Sequence, residues 1–64
     1  MPFIVSCPQP RGRLFASVDR DGDVLWQPNR AKATPLTEAG ADALETDLRR
    51  YSDDDYQIEG VRGG

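Results

Sequence analysis

"RLFASVDRDGDVLWQP", Arg13 to Pro28, is the stretch whose reading decides the fold. Two runs alternate between apolar and polar residues on either side of Asp21-Gly22, the pattern of a β-hairpin. A two-residue Asp21-Gly22 turn would pair Val18 with Leu25 and send Val24 and Trp26 to the face opposite Val18. A three-residue Arg20-Asp21-Gly22 loop, with Gly22 in the left-handed region, pairs Val18 with Val24 and Ala16 with Trp26. Only the second register gathers Leu14, Ala16, Val18, Val24 and Trp26 on one face. Burial of that face favours it.

Working outward, Phe3-Ile4-Val5-Ser6-Cys7 is β-branched and aromatic, and reads as a strand with Phe3, Val5 and Cys7 on one face. Pro8 to Gly12 reads as a loop, because prolines and a glycine interrupt a ladder. After Pro28 the chain turns, and a short edge strand is expected around Lys32 to Thr34, ended by Pro35. "LTEAGADALETDLRRY" has the marks of a helix. Thr37 is the N-cap, Glu38 complements the positive end of the dipole, and Leu36 can staple onto Ala41. Ala41, Leu44, Leu48 and Tyr51 form the apolar arc, and close packing against a strand would account for Gly40. "SDDD" breaks the helix, and Tyr56 to Val61 reads as a last strand, pairing either parallel or antiparallel with the first. The fold class is therefore α+β: a small antiparallel-rich sheet of three to four strands with one helix on one face, in the order β-β-β-α-β. Residues 1–64 read as a single domain with a flexible tail at 62–64.

Composition narrows the chemistry. Sixty-four residues leave room for one small core. Cys7 is the single cysteine, so no internal disulfide is available and a cytoplasmic address is expected. No run has the length of a signal-peptide core or a membrane span. Eleven acidic against eight basic side chains give a net charge of −3, which argues against nucleic acid as a partner. With no histidine in the chain, neither a Ser-His nor a Cys-His nucleophile pair can be assembled. Cys7, in an alternating strand, is expected to be a buried apolar residue. No enzyme activity and no cofactor are expected.

"DRDGD" places Asp19, Asp21 and Asp23 at alternate positions, like the start of an EF-hand loop. Its glycine comes at the fourth position instead of the sixth, and Arg30 stands where the bidentate glutamate is needed. Turn chemistry and solvation explain both this cluster and Asp53, Asp54 and Asp55; no metal site is expected. In the preferred register Phe15 and Leu25 face away from the helix. With the aspartates at 19, 21, 23 and 53–55, they make up the expected partner-binding surface for another protein or a second copy.

Two resemblances bear on function. "GVRGG", Gly60 to Gly64, resembles the C-terminus of ubiquitin-like modifiers and of bacterial sulfur carriers. That likeness implies a β-grasp fold and activation at the Gly64 carboxylate, with Gly63 and Gly64 needed to thread an adenylating site. The aspartate-rich hairpin with a tryptophan, followed by "RAKATPLTEAGADAL", resembles small accessory proteins of GC-rich bacteria and their phages. That likeness implies a non-catalytic protein that docks onto a larger complex and assists or inhibits it.

Overall fold

The hairpin adopts the three-residue loop. In a computed structural model, which describes residues 2–61, Ala16 pairs with Trp26 and Val18 with Val24. The Asp19 amide donates to the Asp23 carbonyl at 3.0 Å, and Gly22 holds φ at 85°, where a Cβ would be strained. The flexible tail expected at residues 62–64, with Gly63 and Gly64, lies outside the described residues.

Four strands form one sheet: β1 (Phe3–Gln9), β2 (Gly12–Val18), β3 (Val24–Gln27) and β4 (Gln57–Gly60). Their spatial order is β3-β2-β1-β4 and every pairing is antiparallel. The helix α1 (Glu38–Tyr51) connects the third strand to the fourth, giving an α+β fold in the order β-β-β-α-β. β4 therefore runs antiparallel to β1, whereas a β-grasp joins its first and last strands in parallel. The fold implied by the glycine-rich tail is not the fold of this chain.

β1 is longer than the sequence suggests and includes Pro8, which pairs with Arg13. The reason lies in strand parity. The amides of Phe3, Cys7 and Gln9 point toward β2 or the segment beside it, so the missing N–H of Pro8 would point toward β4. β4 has already ended at that level, since its pairing with β1 stops at Ser6↔Gln57. No ladder bond is lost.

One face of the sheet carries the core. Val5, Cys7, Ala16, Ala41 and Tyr56 are buried together, with Phe3, Val24, Trp26, Leu36, Leu44, Leu48 and Ile58 packed around them. α1 covers this face. Thr37 caps it by accepting the Gly40 amide at 3.0 Å, and the Ser52 amide closes its other end onto the Leu48 carbonyl. Gly40 is not pressed against a strand. A Cβ there would lie 3.1 Å from the Thr37 hydroxyl and 3.7 Å from Leu36, so the cap and the residue before it set its size. Tyr51 shares the helical arc of Leu44 and Leu48 but is 89% exposed, because it falls on the last helical residue.

The linker after β3 departs most from expectation. No edge strand forms at Lys32 to Thr34. Arg30–Lys32 is a 3-10 turn capped by Asn29, whose side chain accepts the Ala31 amide at 2.9 Å. The chain then wedges between two neighbouring strands. Toward the end of β2 the Thr34 amide donates to the Ala16 carbonyl, and the Thr34 hydroxyl accepts the Val18 amide at 2.8 Å. Two residues later Leu36 exchanges both backbone bonds with Phe3, at 2.7 and 2.8 Å. β1 and β2 pair directly only from Ser6↔Phe15 to Gln9↔Gly12. Beyond that point the wedge Thr34–Leu36 takes up the hydrogen-bonding groups that the parting strands release.

Candidate functional site

The face of the sheet opposite α1 is only partly open. The linker from Asn29 to Pro35 crosses it, with Asn29, Arg30, Ala31, Ala33 and Pro35 around Ile4. Beneath this cover Ile4 and Ser6 are buried, and Phe15 is only 7% exposed. Phe15, expected on a partner-binding surface, is therefore buried on the face opposite α1. The alternation of the hairpin places it on the correct face, but alternation does not say what covers that face. Leu25, on the outermost strand, is 55% exposed and is the one expected apolar contact that reaches solvent.

Three charges hold the covering linker down. Glu59 on β4 receives the Arg30 guanidinium at 3.0 Å and lies 3.4 Å from that of Arg13 on β2. Arg13 also donates to Gln57 at 3.0 Å. Partial burial works to raise the Glu59 pKa, but the adjacent Ser6 hydroxyl and the guanidinium groups of Arg30 and Arg13 prevail. The net result is a pKa below the ordinary 4.5. Ser6 Oγ and Glu59 Oε2 are both buried without a hydrogen-bond partner of acceptable geometry among the described residues. Sequence reasoning missed this group, since Arg13, Arg30 and Glu59 carry no common motif.

The acidic residues do not form one surface. Asp19, Asp21 and Asp23 sit at the β2–β3 tip, beyond Val18 and Val24. Asp54 lies near Cys7, Gln9, Leu14, Trp26 and Tyr56, toward the opposite end of the sheet, and Asp53 and Asp55 flank it in the chain. At the tip, one carboxylate oxygen of Asp19 accepts the Asp21 and Asp23 amides at 2.9 and 3.0 Å. This is turn chemistry. The three carboxylates offer oxygens within 4.8 Å of one another, all solvent-exposed. Asp54 accepts the Ser52 hydroxyl at 2.8 Å.

β3 is an outer strand of the sheet, and its far edge carries no partner strand among the described residues. The Asp19–Asp23 bond sets its phase: Ser17↔Leu25 and Phe15↔Gln27 are hydrogen-bonded pairs, so the amides of Val24 and Trp26 point away from β2. Leu25 and the acidic tip lie along that same edge. A shallow groove of about 450 Å³ lies by the β1–β2 turn, lined by Gln9, Pro10, Arg11, Gly12, Arg13, Leu14 and Pro28. Cys7 is a buried free thiol, its sulfur 3.0 Å from the Gln9 side-chain amide nitrogen. Among the described residues, no helix is long and apolar enough to cross a membrane.

Compared with protein-family models, with curated proteins and with solved structures, the chain matches none.

Proposed function

We propose that this chain is a non-catalytic protein-interaction module, working in the cytoplasm by docking onto a larger protein as an accessory or inhibitory factor of a bacterium or phage. The observation that carries the reading is the outer strand β3. It presents Leu25, an unpaired backbone edge and the carboxylates of Asp19, Asp21 and Asp23 side by side. Apolar side chains beside unpaired backbone groups are what a protein partner can cover. The absence of histidine from the sequence and the burial of Cys7 support a non-catalytic role. The antiparallel β1–β4 pair weighs against a carrier of the β-grasp type.

Affinity purification of the tagged protein from its native host tests the reading. The expected result is a protein that co-purifies without a covalent bond and survives deletion of Gly63 and Gly64. A thiocarboxylate mass shift, or covalent adducts that vanish on that deletion, would make the chain a carrier instead.

A further inference from the structure

We propose that the open edge of β3 takes up an extended, lysine- or arginine-bearing segment of another protein as an added strand. The inference rests on the interaction reading above and names the chemistry of the partner. Two independent features converge on one edge. The outward amides and carbonyls of Val24 and Trp26 offer a two-rung template for strand addition, and Leu25 lies beside them to receive an apolar side chain. The Asp23 carboxylate, directly before Val24, then stands where the added strand would continue, with carboxylate oxygens of Asp19 and Asp21 within 4.8 Å.

Charge chooses the occupant. The tip carries three carboxylates against the single cation Arg20, and no ion pair to Asp19, Asp21 or Asp23 is present among the described residues. A second copy would add its own net charge of −3, so self-pairing is opposed where a basic segment is attracted. β3 runs away from the tip, so an antiparallel guest brings its C-terminal half, and hence its cations, to the aspartates. The edge is short, four residues, and the expected binding is correspondingly weak and salt-sensitive.

The test uses a short synthetic peptide of alternating valine and threonine with lysines in its C-terminal half, titrated into the full chain and followed by amide NMR and hydrogen exchange. The expected result is protection of the Val24 and Trp26 amides. Affinity should fall about three- to tenfold when Asp21→Asn and Asp23→Asn are combined. A glutamate version of the peptide, or one with every amide N-methylated, should not bind. Leu25→Lys, on an exposed side chain that leaves the core alone, should abolish peptide protection. No peptide binding, shifts centred on the groove at Pro10 and Pro28, or protection that grows with protein concentration alone would each overturn the proposal. If Leu25→Lys still captures the host partner, the interaction reading stands and the β3 assignment falls. If neither form captures one, the interaction reading itself falls.

Discussion

The indole of Trp26 stacks on the ring of Tyr56, with centroids 5.8 Å apart and planes 20° from parallel. Trp26 comes from β3 and Tyr56 from the residue just before β4, at the two outer strands of the sheet. The pair bridges the core face level with the middle of β1, beside Cys7. Trp26 is half-buried at the margin of the core and not enclosed at its centre.

Trp26→Ala should destabilise the fold by about 2–4 kcal/mol, somewhat below the figure for a fully enclosed tryptophan. Chemical denaturation followed by circular dichroism measures it. A midpoint equal to the parent's would remove Trp26 from the core.

Phe15 and Leu25 should part company. Phe15→Ser empties a buried position on the face opposite α1 and should cost about 3 kcal/mol, a large share of the margin of so small a domain. Leu25→Ser should change stability by less than about 0.5 kcal/mol. Thermal melts of the two variants compare them directly; equal losses would mean the linker does not cover Phe15.

Glu59 ties stability to pH. Its pKa is lower in the folded chain than in the unfolded one, so its contribution is present above the ordinary 4.5 and is lost as pH falls through the folded value. Glu59→Gln should lower stability near neutral pH by about 0.5–1 kcal/mol and flatten the decline below pH 4.5. Urea titrations of both proteins across that range supply the comparison. Parallel pH profiles would show that Arg13 and Arg30 do not act through this carboxylate.

Gly22→Ala should cost about 1 kcal/mol because φ is 85° there, although nothing lies near the added methyl group. Gly22→Asn should recover much of the loss, since asparagine tolerates the left-handed region. A loss from alanine that asparagine does not reduce would point to packing instead of backbone strain.

Much of this architecture is legible in the residues. The hairpin register follows from the spacing of Ala16, Val18, Val24 and Trp26, with Gly22 free to close the loop. The helix start follows from Thr37. These signals are local, each settled within one or two turns of chain. What escapes is non-local. Nothing in "NRAKATP" has a period, so its path over Ile4, Ser6 and Phe15 cannot be read from it. The Arg13–Glu59–Arg30 group is assembled from three separate elements. Pro8 reads as a strand breaker until the length of β4 is known. The β3 edge is half visible in the sequence, through Leu25 and the tip aspartates, while its open backbone follows only from the strand order. Asp53, Asp54 and Asp55 read as part of the same surface only because sequence carries no sense of which end of a sheet a loop occupies.

The wedge of Thr34–Leu36 also governs when the sheet can be finished. On a ribosome the strand β1 emerges first, then β2 and β3, and those three could begin to zip from the Gln9↔Gly12 turn. The β1–β2 ladder stops at Ser6↔Phe15, because beyond it Phe3 and Val18 bond to Leu36 and Thr34 instead. The gap between β1 and β2 is filled only by Thr34–Leu36, which directly precedes the helix cap at Thr37. Filling that gap and starting the helix therefore draw on adjacent residues, and β4 can join the sheet only after the helix. An insertion between Ala33 and Thr34 would merely slacken the approach, whereas one between Leu36 and Thr37 would uncouple the two halves.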